Sequence, residues 1–114
     1  MKLIIGSDHL GKDFTKKLQD LFPDGEFIEA FTESEQKKHI SDSEVFFGFP
    51  SKSILENAKK LKWIACPGTG IDKIVKNLHL IDENITITNA PLAHVTPMAE
   101  HVVGMMVSLA HSYK

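Results

Sequence analysis

Two short segments of the chain carry residues suited to binding a small anion. The first, Pro67-Gly68-Thr69-Gly70, follows a buried strand predicted over Trp63 to Cys66. Glycines at positions 68 and 70 allow the backbone to turn so that adjacent N–H groups point outward, which forms an anion-binding nest beside the helix that follows. The second segment, Asn89-Ala90-Pro91, follows a strand predicted over Ile85 to Thr88. The residues alone leave open whether the first segment binds an anion or is an ordinary turn between a strand and a helix.

The glycine loop does not have the features of a dinucleotide site. It begins like G-x-G-x-x-G, but Lys73 occupies the third glycine position. No unit of about 30 residues ending in a ribose-binding acid follows it, so the mechanism of that fingerprint is absent. All 13 basic residues are lysines, although arginine is better shaped for bidentate contact with a carboxylate. An anion bound here must therefore use lysine or backbone N–H groups.

Other kinds of catalytic or metal chemistry have little support. One cysteine and six scattered histidines supply no C-x-x-C or H-x-x-x-H pair, so no metal site is predicted. No G-x-S-x-G elbow of a serine hydrolase is present. Cys66 is the last residue of a predicted buried strand and is expected to be a structural residue. Among the histidines, His9 and His94 lie in loops of the predicted ligand edge and are the two worth testing, since a catalytic histidine needs a substrate within reach.

The elements that must position these loops alternate between strands and helices, a pattern typical of an α/β domain with a parallel sheet. The strands are predicted over Lys2 to Ile5, Glu26 to Ala30, Val45 to Phe47, Trp63 to Cys66 and Ile85 to Thr88. The commonest arrangement of five such strands is flavodoxin-like, with spatial order 2-1-3-4-5, right-handed crossovers and helices in layers on both faces. Ligands then bind beyond the carboxyl ends of the strands. This places Gly6-Ser7-Asp8-His9 and Gly48-Phe49-Pro50 at the same edge as the two anion-binding segments.

Helical patterns fill the segments between the predicted strands. Lys12 to Phe22 carries apolar residues at helical spacing. Thr32 and Glu35 have the spacing of a capping box, and either Ser51 or Ser53 can cap the helix after the third strand. A short helix is predicted over Ile71 to Leu78, directly after the glycine loop.

The last helix, predicted over Pro97 to Ala110 within an apolar segment at residues 96–112, has almost no polar face. Thr96 has the type and position of an N-cap, with Pro97 in the first helical position. A helix of this composition needs other apolar surfaces around it. We therefore predict a homodimer or a helix-exchanged oligomer formed through residues 97–110.

Over residues 61–110, the segments LKWI, GTGID, NITITNAP and PMAEHVVGMMVSLA resemble the substrate-binding domain of the D-isomer-specific 2-hydroxyacid dehydrogenases. The resemblance implies a flavodoxin-like substrate domain that is interrupted in sequence by a Rossmann domain binding NAD or NADP. Catalysis takes place in the cleft between the two, where 2-keto acids and D-2-hydroxy acids are interconverted. For this sequence the resemblance implies that backbone amides of Thr69 and Gly70, in the loop with Gly68, bind the substrate carboxylate. Phe49 would shape the pocket.

The same resemblance implies that His94 and Thr96 lie near the nicotinamide end of the cleft. The family's catalytic arginine, acid and histidine have no counterpart in residues 1–114, so this chain is expected to be one substrate-binding domain, without the Rossmann domain, without bound cofactor and inactive alone. The alternative is a non-catalytic flavodoxin-like module that binds a small acid or a partner. The sequence disfavours a phospho-acceptor receiver, because Asp8 has no neighbouring acid and the third strand ends in Gly48-Phe49-Pro50.

Composition agrees with a single globular domain: 114 residues, 42% hydrophobic and 25% charged. A net charge of −2 disfavours a nucleic-acid partner, which usually meets a clustered basic face. The N-terminal apolar run is too short for a signal peptide, and no run approaches the roughly 20 apolar residues of a membrane span. A soluble cytoplasmic protein with no membrane partner is expected.

Overall fold

The computed structural model describes residues 1–68, 70–80, 84–90 and 95–111. The strands are β1 (Lys2–Ile5), β2 (Glu26–Glu29), β3 (Val45–Phe47), β4 (Trp63–Ala65) and β5 (Thr86–Thr88). The α-helices are α1 (Phe14–Leu21), α2 (Glu33–His39), α3 (Lys52–Glu56), α4 (Asp72–Lys76) and α5 (Val95–Ala110). Two short 3-10 turns lie at Ile40–Asp42 and Leu78–Leu80.

The five strands form one sheet in the order β2-β1-β3-β4-β5, and every pair is parallel. This confirms the predicted α/β class and strand order. The strand ends differ from the prediction by one residue in β2, β4 and β5, although the next backbone groups still bond across the sheet. The Ala30 N–H donates to the Ile5 carbonyl oxygen at 3.0 Å, and the Cys66 N–H donates to that of Thr88 at 2.8 Å.

The central strands are apolar on both faces, as a parallel sheet covered by helices requires. One face carries the larger core, which includes Ile4, Phe46 and Ile64 from the sheet, all with no exposed surface. Buried residues of α3 and α4 pack against this core. The other face carries a smaller cluster of Leu3, Ile5 and Val45, which packs against Phe14 and Leu18 of α1.

Two predicted helix caps are confirmed. The Thr32 hydroxyl accepts a hydrogen bond from the Glu35 N–H at 3.3 Å. In a capping box the acid accepts from the N–H of the N-cap residue. Here the Glu35 carboxylate accepts instead from the N–H of the preceding residue, Phe31, at 3.2 Å. Of the two serines considered for α3, Ser51 is the cap, and its hydroxyl accepts from the Ile54 N–H at 3.4 Å.

Three helices differ in extent from the prediction. α1 is shorter at both ends than Lys12 to Phe22, and α4 covers only five residues, because a separate 3-10 turn follows it. α5 begins at Val95, so the expected N-cap Thr96 is instead a residue of the first turn. Pro97 is compatible with this position, because N–H groups of the first turn have no partner within the helix. No helix among the described residues has the length and apolarity to cross a bilayer.

Candidate functional site

Backbone hydrogen bonds join the loops that leave the carboxyl ends of neighbouring strands. The Gly6 N–H donates to the Phe47 carbonyl oxygen at 2.8 Å, and the Gly48 N–H donates to that of Ala65 at 2.9 Å. The Ala90 N–H donates to the carbonyl oxygen of Gly68 at 3.0 Å. The loop after β4 is therefore fixed to the loop after β5, as expected for two loops at one edge of the sheet.

Glycine is required where the loops after β1 and β3 begin. A Cβ atom on Gly6 would lie 2.6 Å from Cζ of Phe46, which is closer than any side chain can approach. Gly48 has φ of +137°, in the region that favours glycine, and a Cβ atom there would lie 3.3 Å from the backbone carbon of Gly6. The two loops thus leave the sheet in close contact over one buried phenylalanine ring.

Gln36 of α2 makes hydrogen bonds to the backbone at the carboxyl ends of β1 and β2. The sequence analysis did not identify this residue. Its side chain is 9% exposed, and its Nε2 donates to the Ala30 carbonyl oxygen at 2.9 Å and to that of Gly6 at 3.5 Å. These bonds satisfy backbone groups at the ends of β1 and β2, which would otherwise be costly to bury. The capping residue Thr32 predicts the start of α2. No local sequence pattern indicates that Gln36 of this helix is buried.

Three of these loops surround a cavity of about 80 Å³ lined by Ser7, His9, Phe49, Pro67 and Gly68. The loop after β1 is ordered by a hydrogen bond from the His9 N–H to the Ser7 hydroxyl oxygen at 3.3 Å. Two predicted site residues, Phe49 and Gly68, are therefore brought together, and His9 is close to them. We call this space the rim cavity.

Gly68 lies in close contact with the Phe49 ring of the adjacent loop. Its φ lies outside the left-handed region, whereas a Cβ atom there would lie 3.2 Å from Cζ of Phe49. The Phe49 ring, 48% exposed, thus rests over the glycine loop and bounds the rim cavity on one side. In the adjacent loop, Gly48 has the left-handed conformation.

The other predicted site residues are not placed in the rim cavity. Gly70 is exposed, and no heavy atom lies within 4 Å of the position of a Cβ there. Thr96 is an exposed residue of α5. Thr69 and His94 lie outside the described residues, so their suggested contacts with substrate and cofactor remain predictions.

The helix after the glycine loop contributes little positive potential. α4 has only five residues, no side chain caps its N-terminus, and the carboxylate of Asp72 lies in its first turn. A short helix with an acidic first turn offers an anion little attraction from its dipole. The α4 dipole therefore contributes little to the binding of an anion at this loop, which leaves lysine side chains and the N–H groups of the loop as donors.

The same features do not fit a nucleotide pyrophosphate. Lys73 stands where the fingerprint needs a glycine for close packing of helix and strand, and Asp72 would place a carboxylate near the phosphates. Within the part of the chain that the structure describes, the glycine loop is therefore no dinucleotide site.

Among the described residues, neither a reactive cysteine nor a metal-binding group is found near the rim cavity. Cys66 is buried, and burial raises the pKa of its thiol, which disfavours the nucleophilic thiolate. Among the described residues, no group of three or more His, Cys, Asp or Glu side chains is arranged to hold a metal ion.

A five-stranded parallel sheet of order β2-β1-β3-β4-β5, with a cavity beyond the carboxyl ends of its strands, defines a flavodoxin-like domain. The sequence identifies the family more narrowly. Residues 4–110 match the family model of the D-isomer specific 2-hydroxyacid dehydrogenase, catalytic domain. The chain therefore belongs to the D-isomer specific 2-hydroxyacid dehydrogenase family.

Two solved structures show the same fold. A D-isomer specific 2-hydroxyacid dehydrogenase family protein from Aeromonas salmonicida superposes with a TM-score of 0.80 at 22% identity, over 98% of this chain and 36% of that one. Phosphoglycerate dehydrogenase from Lactobacillus plantarum gives a TM-score of 0.55 at 22% identity, over 99% of this chain and 36% of that one. The chain thus spans about a third of the length of either structure. Among curated proteins, none matches it.

Proposed function

We propose that this chain is the substrate-binding part of an NAD- or NADP-dependent oxidoreductase that interconverts 2-keto acids and D-2-hydroxy acids. The observation that carries the proposal is the rim cavity beside Gly68 in a chain of this family. The cofactor would be held by a separate nucleotide-binding part, because the glycine loop does not fit a dinucleotide. We assign no catalytic residue within the chain, and expect it to bind the acid without turning it over.

In this proposal the backbone N–H groups of the loop from Gly68 to Gly70, including Thr69, bind the substrate carboxylate. Phe49 limits the size of the group attached to the keto carbon, while Thr96 and His94 lie toward the nicotinamide. Hydrogen bonds from N–H groups to a carboxylate are charge-assisted and stronger than neutral ones, so arginine is not required for binding. The bond from Ala90 to Gly68 holds the loop before ligand arrives, which lowers the cost of ordering it.

The proposal is tested by titrating the ¹⁵N-labelled chain with pyruvate while amide NMR shifts are recorded. We expect saturable shifts at Gly68, Gly70 and Ala90 with a Kd of about 1 mM. This Kd corresponds to a binding free energy of roughly −4 kcal/mol, which is reasonable for a site formed by the substrate-binding part alone. Pyruvamide has the same shape without the carboxylate charge and should give much smaller shifts.

The variant Gly70→Pro removes one N–H donor, and Gly70→Ala is its matched control, because a methyl group there meets no atom within 4 Å. If the pyruvate shifts are lost in Gly70→Pro and kept in Gly70→Ala, the result supports binding by the loop amides. Equal shifts with pyruvate and pyruvamide, or no shift at all with either, would overturn the carboxylate role of the loop.

The proposed partners are a small 2-keto or 2-hydroxy acid and a second copy of the chain in the cytoplasm, with no nucleic acid and no membrane. Association through residues 97–110 is supported by the surface of α5. Seven large apolar side chains of this helix are between 48% and 78% exposed: Met98, Val102, Val103, Met105, Met106, Val107 and Leu109. Apolar surface of this extent on one helix is typical of an interface.

A further inference from the structure

One helix, α2, makes side-chain contacts with two of the three loops that line the rim cavity. Gln36 contacts the loop after β1 at Gly6. Glu33 contacts the end of the loop after β3 at Ser51. The two side chains are three residues apart in the sequence, so they lie on the same face of α2. A single face of this helix therefore holds both loops.

The contact between Gln36 and Gly6 fixes the backbone where the loop after β1 begins. The Gln36 side chain is buried, and its Nε2 donates to the carbonyl oxygens of Ala30 at 2.9 Å and of Gly6 at 3.5 Å. The amide also packs against Gly6, because a Cβ atom at that position would lie 3.1 Å from Nε2. Ser7, which lines the rim cavity, is the next residue. The position of Ser7 thus depends on the Gln36 side chain.

The contact between Glu33 and Ser51 fixes the end of the loop after β3. The Ser51 hydroxyl donates to Oε1 of Glu33 at 3.1 Å and accepts from the Ile54 N–H at 3.4 Å, so it joins the starts of α2 and α3. Phe49 lies two residues before Ser51, with Pro50 between them. Proline has a fixed φ and restricts the residue before it, so this segment is stiff. A movement of Ser51 must therefore move Phe49.

We propose that α2 is a positioning element of the rim cavity, and that Gln36 and Glu33 are the residues that fix the separation between Ser7 and Phe49. Neither of the two α2 residues lines the cavity, so each acts through the loop that it holds. The inference rests on the proposed function, and it adds the residues that determine selectivity between 2-keto acids of different size.

The selectivity follows from the width of the cavity. Ser7 and Phe49 line it from two different loops, so their separation limits the side chain of a bound acid. One methylene more or less changes the specificity of a well-formed pocket by about 10–200-fold. Loops that can move apart lose this discrimination. We therefore expect α2 to favour pyruvate over 2-oxobutyrate, which is longer by one methylene.

NMR titrations of ¹⁵N-labelled variants with pyruvate and 2-oxobutyrate test this role. Gln36→Met keeps the length of the side chain and removes the amide donors, and Glu33→Ala removes the acceptor for Ser51. Each variant should bind pyruvate more weakly and should reduce the preference for pyruvate over 2-oxobutyrate several-fold. Glu33→Gln keeps an acceptor oxygen and should retain the wild-type preference. Because the Glu33 side chain is half exposed, both of its variants should fold.

Two matched controls separate loop position from stability and charge. Ser43 is also a buried polar residue, but it precedes β3 at the opposite edge of the sheet, where its hydroxyl donates to the His39 carbonyl oxygen at 2.6 Å. Ser43→Ala should lower the free energy of unfolding and leave the keto-acid preference unchanged. Lys37→Ala removes the ammonium that lies 3.9 Å from Oε1 of Glu33, and it should also leave the preference unchanged.

Backbone order parameters measured without ligand test the positioning directly. Gln36→Met should lower the order parameter of the Ser7 amide, and Glu33→Ala should lower that of the Phe49 amide. Wild-type order parameters at both amides would overturn the inference. Two other results would also overturn it: wild-type preference in both variants, or an equal loss of preference in Ser43→Ala.

A failure of the proposed function gives a different result. A wild-type chain that binds neither acid would overturn the proposed function and the selectivity that depends on it. The order parameters of Ser7 and Phe49 would still decide whether α2 positions the two loops, because they need no ligand.

Discussion

The substitution Gly6→Ala should destabilise the chain through steric overlap with Phe46 and Gln36. An added methyl group would lie 2.6 Å from Cζ and 2.9 Å from Cε1 of Phe46, and 3.1 Å from Nε2 of Gln36. The Phe46 ring has no exposed surface and is packed among core residues, so it cannot move aside without displacing them. The Gln36 side chain is held by its hydrogen bonds to Ala30 and Gly6.

The size of the effect follows from two opposing contributions. Overpacking a well-packed core costs about 1–3 kcal/mol. Gly6 is not in the left-handed region, so the alanine adds no backbone strain and reduces the entropy of the unfolded chain, which returns about 0.4–1 kcal/mol. We expect a net loss of roughly 1–2 kcal/mol. For 114 residues the entropy of unfolding is about 0.24 kcal/mol per kelvin, so Tm should fall by about 4–8 °C.

Urea and thermal unfolding, followed by circular dichroism, measure this loss. Gly104→Ala is the control, because a methyl group there meets no atom within 4 Å and alanine favours the helix. Adding Phe46→Leu to Gly6→Ala removes the contacted ring atoms, so the double variant should lose less than the sum of the single losses. A Gly6→Ala variant as stable as wild type, or losses that add exactly, would refute the steric argument.

Thr32→Ala should lose about 1 kcal/mol of unfolding free energy in urea titrations, because the capping hydroxyl is removed, whereas Thr32→Ser should retain most of it. The Lys2 ammonium, which bonds the Asp42 carboxylate at 2.6 Å, lowers the pKa of that group. The stabilisation from the ionised Asp42 carboxylate is complete above the pKa of the group in the unfolded chain, and it is lost as pH falls through the lower pKa of the folded chain. In acid titrations, wild type should therefore lose more stability than Asp42→Asn below about pH 4. Phe49→Ala should extend binding in NMR titrations to keto acids with bulky side chains such as phenylpyruvate, and unchanged selectivity would contradict its role as a boundary. The Cys66 thiol should react with Ellman's reagent much more slowly in the native protein than in urea, since burial raises its pKa and blocks access.

The strands could be predicted because each depends on a local signal, and their order could be predicted because few arrangements of five parallel strands are common. Val45 to Phe47 is a short β-branched and aromatic run that ends in Gly48, and β3 has these bounds in the structure. Thr32 likewise marks the start of α2, since a capping residue acts within one turn. The bounds of α4 and α5 were less accurate, because a helix end depends on the competition between a 3-10 turn and the α-helix, which sequence spacing does not resolve.

The position of the candidate site could be predicted, but its internal packing could not. Parallel topology alone brings Phe49 and Gly68 to one edge. The reasons for Gly6 and Gln36 lie in contacts with residues far along the chain, 40 positions away for Gly6 and Phe46 and 30 for Gln36 and Gly6. Such contacts are decided by the folded arrangement, and no periodicity in the sequence records them.

The packing of the core and the shape of the rim cavity are therefore linked through one buried ring. Ser7 and Phe49 line the cavity, and each directly follows a glycine that a methyl group would force against Phe46. A change that shifts this ring must move both loops, so it should alter ligand binding and stability together. Gly70 has open space around it, and a substitution there that keeps the N–H should alter neither. The conformation of the loops after β1 and β3 is thus determined by the core, while the outer part of the glycine loop remains open to sequence change.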